Sequence, residues 1–83
     1  MENNTPHILV VDDELSMREL LEVLLSKEGY KVTCAENGRD AIDRIKKTVF
    51  DLLLCDIRLG DITGIDVLNT MKEENRDTVV IMI

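Results

Sequence analysis

The sequence predicts an α/β domain in which helices cover both faces of a parallel β-sheet. Short, continuous apolar runs stand at residues 8–11, 52–55 and 79–83, and amphipathic segments separate them. Runs of this length and continuity are typical of strands that are buried on both faces, and they are too short for a helical bundle or a coiled coil. With one further strand between the first two runs, the order is βαβαβαβ. Right-handed crossovers and short loops then make the sheet parallel.

The first half of the chain carries the signals of a strand, a helix and a second strand. His7–Val11 is the first strand, and Glu14–Glu28 is an amphipathic helix whose apolar residues recur every three or four positions. Gly29 is placed to end this helix in a left-handed conformation. Tyr30–Ala35 is the second strand, and its alternating pattern indicates an edge strand with a half-exposed face. The helix stripe that is expected to belong to the core consists of Met17, Leu20, Leu21, Leu24 and Leu25.

The second half adds two helices and two strands after a break at Asn37 and Gly38. Each helix again has an apolar side with helical spacing, and each strand is a short apolar run. The predicted elements are a helix at Arg39–Lys47, a strand at Asp51–Cys55, a helix at Gly64–Glu74 and a strand at Val79–Ile83. The side chains expected to be buried in the two helices are Ala41, Ile42 and Ile45, then Ile65, Val67, Leu68 and Met71.

Length and composition indicate one ordinary globular domain, residues 1–83, with an acidic surface. A chain of this size buries only about 60% of its unfolded surface, so its core is small. The net charge is −7, from 17 acidic and 10 basic side chains. A surface that binds nucleic acid needs a basic patch, so we expect no direct nucleic-acid contact by this segment.

No segment predicts insertion into a membrane or export. No apolar run approaches the ~20 residues that span a bilayer. Residues 1–6, expected to form a flexible terminus, lack the charged and apolar parts of a signal peptide. We therefore expect a cytoplasmic protein. Cys34 and Cys55 lie in predicted strands without metal-type spacing, which predicts small, reduced core residues. His7 is predicted to be an exposed residue at the start of a strand, without a catalytic role.

Three aspartates follow predicted strands and form a candidate metal site. Asp12 and Asp13 come directly after the first strand, and Asp56 comes directly after the third. The carboxyl ends of parallel strands meet at one edge of a sheet, and open α/β sheets bind ligands there. If the two strands are neighbours, the three carboxylates converge and favour a hard divalent cation, typically Mg²⁺. A carboxylate beside such an ion can accept a phosphoryl group.

Each acid taken alone has a simpler interpretation. An acidic pair such as Asp12 and Asp13 is often the N-cap of the next helix, because Asp accepts free N–H groups and suits the positive end of the helix dipole. Asp56 alone would most often be a solvated strand end. The combination of all three at the ends of two buried-type strands favours the functional interpretation, and it leaves open whether Asp13 also caps the helix.

The residues around these acids resemble the receiver domain of bacterial two-component response regulators. The matching segments are Ile8–Glu14, Asp56–Leu59 and Gly64 at the start of the third helix, and the resemblance covers nearly all of residues 7–83. It implies a flavodoxin-like doubly wound sheet with strand order 2-1-3-4-5, in which strands one and three are neighbours. Residues 1–60 are most similar to receivers of multidomain transcriptional activators of the nitrogen-regulation type, and a stand-alone receiver is the alternative.

The resemblance also implies a role for each site residue. Asp56 would be the phosphoacceptor, carrying a 4-aspartylphosphate after transfer from a sensor histidine kinase. Asp13 would bind Mg²⁺ directly, and Asp12 would contribute through water and hold the cluster in place. The backbone carbonyl of Arg58 would be a further metal ligand, while its side chain either tunes the loss of phosphate or is a solvated loop arginine. The implied function is a regulatory switch and not an enzyme.

The chain departs from the family's pattern in its third loop and at its end. Gly60 stands where the family often has Pro, which predicts a looser loop, and Thr63 replaces a frequently acidic residue. The family places a Ser or Thr after strand four and a Lys after strand five. This chain stops at Ile83, before both, so we expect a receiver truncated after strand four. The sheet edge at Thr78–Ile83 and the uncovered apolar surface then predict a homo-oligomer.

Two other functions fit the sequence less well. A phosphohydrolase with an aspartyl nucleophile usually keeps a second Asp two residues later, where this chain has Arg58. A nucleotide-binding α/β domain needs a Gly-rich loop after the first strand, and Asp12–Glu14 is the opposite in charge and shape. The phosphoacceptor switch is therefore the leading interpretation, with the phosphohydrolase as its alternative.

Overall fold

A four-stranded parallel sheet forms the centre of the computed structural model, which describes residues 5–75 and 77–83. The elements are β1 (His7–Val11), α1 (Leu15–Lys27), β2 (Lys31–Ala35), α2 (Gly38–Lys47), β3 (Leu52–Cys55), α3 (Gly64–Glu74) and β4 (Val79–Met82). The strand order is β2-β1-β3-β4, and every neighbouring pair is parallel. The predicted βαβαβαβ order, the doubly wound sheet and the edge position of β2 are therefore confirmed.

The main core lies between one face of the sheet and the helices α2 and α3. Leu9 and Val11 of β1 belong to it. The alternate residues Ile8 and Val10 point to the opposite face, where α1 lies against β1 and β2. Its buried members are Leu9, Val11, Ala35, Ala41, Ile45, Phe50, Leu53, Cys55, Val67 and Met71. Aliphatic side chains and one phenylalanine thus fix the strands that carry the three aspartates.

The apolar stripe of α1 is not part of the core, and the prediction was wrong on this point. None of the α1 residues, all of which the structure describes, is buried. Leu20 and Leu24 are 52% and 50% exposed and Met17 is also exposed, while Leu21 and Leu25 are half-buried. The periodicity of a helix shows which side chains share a face, but it does not show what covers that face. Here the sheet covers one side of the stripe.

Helix ends differ from the predicted bounds by one residue, for local reasons. Glu14 is the extended N-cap of α1, with φ −95° and ψ 123°. At the other end, Gly29 adopts φ 94°, as predicted, and the N–H of Tyr30 donates to the carbonyl of Leu25 at 3.2 Å. This is the hydrogen bond of a Schellman cap, and it keeps Tyr30 out of β2. α2 begins one residue earlier than predicted, at Gly38, because Asn37 is its N-cap.

The remaining differences concern strand ends and one side chain of α3. β3 begins at Leu52 and β4 ends at Met82, one residue inside the predicted ranges. Ile65 was expected to be buried but is 48% exposed, because the sheet-facing side of α3 is defined by Val67 and Met71. These changes leave the predicted topology intact.

The N-terminal edge of the sheet is more ordered than the sequence indicated. The predicted flexible terminus at residues 1–6 lies mostly outside the described residues, but the Pro6 carbonyl accepts a 3.0 Å hydrogen bond from the N–H of Lys31. His7 is half-buried rather than exposed, since its Nε2 lies 2.7 Å from Oγ1 of Thr33 and its ring centroid lies 4.6 Å from that of Phe50. In residues 5–75 and 77–83, no helix is long and apolar enough to cross a membrane.

Candidate metal centre at the carboxyl edge of the sheet

The register of the sheet brings the predicted acids to one place. Val11, the last residue of β1, pairs with Cys55, the last residue of β3. The N–H of Asp56 then donates to the Val11 carbonyl at 2.9 Å, and the N–H of Asp12 donates to the Ala35 carbonyl at 3.2 Å. Asp12 and Asp56 therefore leave neighbouring strands at the same level, as the sequence predicted.

The three carboxylates converge. Asp12, Asp13 and Asp56 each offer one carboxylate oxygen, and these oxygens all lie within 4.8 Å of one another. Asp12 is buried, Asp56 is half-buried and Asp13 is exposed, so the cluster opens to solvent on the Asp13 side. In an octahedral Mg²⁺ site with ligands at 2.0–2.1 Å, adjacent oxygens are about 2.9 Å apart and opposite ones about 4.2 Å. Oxygens this close together can share one such ion, either directly or through its bound water, so the donor set fits a hard divalent cation.

Asp12 is held from two sides. Its Oδ1 accepts the N–H of Glu14 at 2.9 Å, and its backbone carbonyl accepts a hydrogen bond of 2.8 Å from Nη1 of Arg18. The N-cap of α1 is Glu14. The sequence had left open whether Asp13 caps this helix, and in the structure it does not. The sequence analysis did not identify Arg18. The available signal was its position, six residues after Asp12 and in the first turn of α1.

Asp56 is oriented by the loop that follows it. Its Oδ1 accepts the N–H of Arg58 at 2.9 Å, and no hydrogen bond to its Oδ2 occurs within the described residues. The loop then turns back, because the N–H of Gly64 donates to the Ile57 carbonyl at 3.0 Å. A Cβ on Gly64 would lie 2.6 Å from the Asp56 carbonyl oxygen, so only glycine permits this approach. The metal-binding role of the Arg58 carbonyl remains a prediction.

The loop ends in a capping box that the sequence analysis missed. Thr63 is the N-cap of α3; its Oγ1 accepts the N–H of Asp66 at 3.4 Å, and the Asp66 carboxylate accepts the N–H of Thr63 at 3.3 Å. The spacing Thr-x-x-Asp is the signal that identifies this motif. Thr63 therefore has a structural use in a position where the family often has an acid.

The cysteines do not add a nucleophile to the site. Cys34 and Cys55 are both free thiols, Cys34 half-buried and Cys55 buried. Burial raises the pKa of Cys55 to about 11, and the nearby Asp56 and Asp12 act in the same direction. A thiol with this pKa stays protonated at neutral pH, which agrees with the core role predicted for Cys55. Cys34 is only half-buried and lies outside the core cluster, so the predicted core role was wrong for this residue.

The sequence matches one protein family along nearly its whole length. The model of the family described as "Response regulator receiver domain" matches residues 8–83. Among curated proteins, the transcriptional regulatory protein ZraR of Klebsiella oxytoca is 46% identical over 68 residues. That alignment covers 82% of this chain and 15% of the relative, so the chain spans a small part of the relative's length.

Solved structures that are similar to this chain include response regulator proteins. The response regulator protein TrrA from Thermotoga maritima in complex with Mg²⁺-BeF superposes with a TM-score of 0.83 and 36% identity, covering 94% of this chain and 66% of that one. A structure of histidine kinase ThkA in complex with the response regulator protein TrrA matches with a TM-score of 0.86 and 37% identity, covering 94% and 67% of the two chains.

Proposed function

Because the chain belongs to the response regulator receiver domain family, we propose that it is a phosphoacceptor switch of a two-component system. In this proposal Asp56 receives a phosphoryl group from a sensor histidine kinase, with Mg²⁺ in the neighbouring acidic cluster. The observation that carries the proposal is the convergence of Asp12, Asp13 and Asp56 within 4.8 Å at the ends of β1 and β3. No other group of at least three metal-binding side chains occurs among the described residues.

Each residue has a distinct part in the transfer. Asp13, Asp56 and the carbonyl of Arg58 would hold Mg²⁺ directly, and Asp12 would contribute through water while holding the end of β1. Bound Mg²⁺ supplies charge neutralisation for the phosphoryl oxygens. The N–H of Arg58 holds Oδ1 of Asp56 and so orients the carboxylate whose oxygen attacks phosphorus. The new O–P bond forms as the N–P bond of the kinase phosphohistidine breaks, and the electron pair returns to the imidazole nitrogen.

The family context supports a partner and a setting for the switch. A structurally similar response regulator is known in complex with a histidine kinase, which supports a sensor kinase as the phosphoryl donor. The relative ZraR is a transcriptional regulator, which supports a place for this domain in the N-terminal part of a cytoplasmic regulator of transcription. The acidic net charge of −7 supports a role without direct nucleic-acid contact. The phosphohydrolase alternative is not favoured, because Arg58 occupies the position of its second acid.

The test is a labelling experiment with a small phosphodonor. The chain is incubated with acetyl phosphate, with Mg²⁺ or with excess EDTA, and the acyl phosphate is then reduced with borohydride so that the modified residue can be located by peptide mass spectrometry. We expect modification at Asp56 that requires Mg²⁺. Asp43, an exposed acid on α2, serves as the internal control and should remain unmodified. Labelling of Asp56 that is unchanged by excess EDTA, or labelling of another residue instead, would contradict the proposal.

A further inference from the structure

Asp61 joins the loop after β3 to the start of α2. Its Oδ1 accepts the N–H of Gly38 at 2.9 Å, and its Oδ2 accepts the N–H of Arg39 at 3.0 Å. Gly38 and Arg39 are the first two residues of α2, and they lie more than twenty residues before Asp61 in the sequence. One carboxylate thus bridges two elements that the sequence gives no reason to connect.

These hydrogen bonds complete the N-terminus of α2. The first turn of a helix leaves N–H groups without helical partners, and a negative group is favoured there. Asn37, the N-cap, takes the N–H of Asp40 on its Oδ1 at 2.8 Å, and its carbonyl takes the N–H of Ala41 at 3.1 Å. The other two N–H groups of this turn, those of Gly38 and Arg39, donate to the carboxylate of Asp61. The hydrogen bond from the Gly38 N–H is the main cause that lowers the pKa of Asp61, so the carboxylate is ionised at neutral pH.

The loop and the helix also fit together sterically. Gly38 is buried, and a Cβ at this position would collide with the side chain of Ile62. Ile62 is half-buried and packs against the core cluster. Two successive residues of the loop, Asp61 and Ile62, therefore hold it against α2, one by hydrogen bonds and the other by contact.

The anchored loop is the one that carries the candidate metal ligands. It leaves the sheet at Asp56, is pinned there by the Arg58 N–H, and returns to the sheet edge through the hydrogen bond from Gly64 to Ile57. Both of these contacts are local to the loop. The hydrogen bonds of Asp61 fix its middle to a separate element, and so they constrain where the Arg58 backbone lies.

We propose that Asp61 is a positioning residue for the metal site: by fastening the loop to the first turn of α2, it sets the position of the Arg58 carbonyl and so the affinity for Mg²⁺. The proposal rests on the Mg²⁺-binding role inferred above. It is separate from that role because Asp61 lies outside the three-acid cluster and is not expected to touch the ion.

The experiment is an NMR titration of ¹⁵N-labelled protein with MgCl₂. We expect Asp61→Ala to weaken Mg²⁺ binding by roughly tenfold, the lower end of the loss seen when an outer partner of a metal ligand is removed. In the parent protein, Mg²⁺ should also shift the amide signals of Gly38 and Arg39, and this response should vanish in the variant. Asp61→Asn keeps one acceptor oxygen and should lose less affinity.

Two controls separate positioning from charge and from helix capping. Glu73→Ala removes the same charge from an exposed site in the last turn of α3 and should bind Mg²⁺ like the parent. Asn37→Ala removes the N-cap hydrogen bond of α2 but leaves the loop anchor, so it should lower stability without lowering Mg²⁺ affinity. If Asp61→Ala does not fold, Asp61→Asn is compared with Asn37→Ala in its place.

The outcomes distinguish the two proposals. A parent protein that does not bind Mg²⁺ would contradict the proposed function itself. A parent that binds Mg²⁺ while both Asp61 variants bind it equally well would overturn the positioning role. That role would also be overturned if Asn37→Ala weakened binding as much as the Asp61 variants do, because the effect would then come from the helix end alone.

Discussion

The N–H of Arg58 donates a hydrogen bond of 2.9 Å to Oδ1 of Asp56, two residues earlier in the chain. One short turn thereby fixes the carboxylate that is proposed to accept the phosphoryl group and carries the carbonyl that is proposed to bind Mg²⁺. The orientation of Asp56 is set by the backbone of the loop, which makes the path of that loop a determinant of the chemistry.

The first prediction concerns the exposed member of the cluster. Asp13→Ala removes a proposed direct ligand and should weaken Mg²⁺ binding by at least about tenfold, since even outer partners of metal ligands contribute that much. Amide chemical shifts followed during a MgCl₂ titration measure the affinity. Asp43→Ala, which removes another exposed acid, this one from α2, is the matched control and should leave the affinity unchanged. Equal binding by Asp13→Ala and the parent would show that the ion lies elsewhere.

The second prediction concerns the capping box of α3. Thr63→Ala should lower the free energy of unfolding by about 1 kcal/mol, because the N–H of Asp66 loses its side-chain acceptor and keeps only the Thr63 backbone carbonyl at 3.1 Å. Urea denaturation measures the change, and Thr63→Ser should restore most of it. Thr70→Ala is the control from the same helix, because its hydroxyl bonds back to the Asp66 carbonyl within the helix. A loss as large in Thr70→Ala would mean that capping is not the cause.

The third prediction is a dependence of stability on pH through His7. Burial, followed by the charge of Lys31, lowers the pKa of His7 below its ordinary value of 6.5. The folded state therefore favours the neutral ring, and protonation favours unfolding. The stabilisation is fully present above pH 6.5 and declines as the pH falls through the lowered pKa.

Urea denaturation of the parent and of His7→Gln, at several pH values between about 7.5 and 5, measures this linkage. The free energy of unfolding of the parent should exceed that of the variant by an amount that decreases as the pH falls. The variant also loses the contact with Phe50, which lowers its free energy of unfolding by an amount that does not depend on pH. The test is therefore the change of the difference with pH and not its size at one pH. A constant difference, or one that grows in acid, would contradict the assignment.

The fourth prediction is self-association of this chain. Val79 and Ile81 on β4, an edge strand of the described sheet, are 59% and 44% exposed, and Leu20 and Leu24 of α1 are half exposed. An uncharged strand edge and an apolar helix face both favour contact with a second copy. Light scattering at micromolar concentration should give a mass above the 9.4 kDa of one chain.

Two variants identify the surface that is used. Ile81→Lys places a charge on the strand edge, and Leu24→Glu places one on the helix face. The variant that restores a monomer marks the interface. A parent mass of 9.4 kDa that does not change with concentration would contradict the prediction.

The order of the elements along the chain and the positions of the three acids were predictable because both follow from local patterns. Apolar runs mark the strands, and Asp12, Asp13 and Asp56 directly follow two of them. Once β1 and β3 are neighbours, these acids must share an edge. The order of the strands came from resemblance to a family, since local patterns do not determine which strands pair.

Two of the contacts that were missed, the capping box of Thr63 with Asp66 and the hydrogen bond from Arg18 to Asp12, are local, and the others join residues far apart in the sequence. Asp61 reaches back to Gly38, and His7 contacts Thr33 and Phe50. Such contacts depend on how loops cross the ends of the sheet, which hydrophobic periodicity does not encode. The exposure of Leu20 has a related origin, because the pattern of a helix does not specify its neighbours.

The most direct test of the account is whether Asp56 alone accepts phosphate. The parent protein and Asp56→Asn are each incubated with acetyl phosphate and Mg²⁺, and their intact masses are measured by electrospray. The variant keeps the size and the hydrogen-bonding oxygen of the side chain but loses the nucleophilic carboxylate. The account predicts that the parent gains the mass of one phosphoryl group and that Asp56→Asn gains none. Labelling that persists in Asp56→Asn would contradict it.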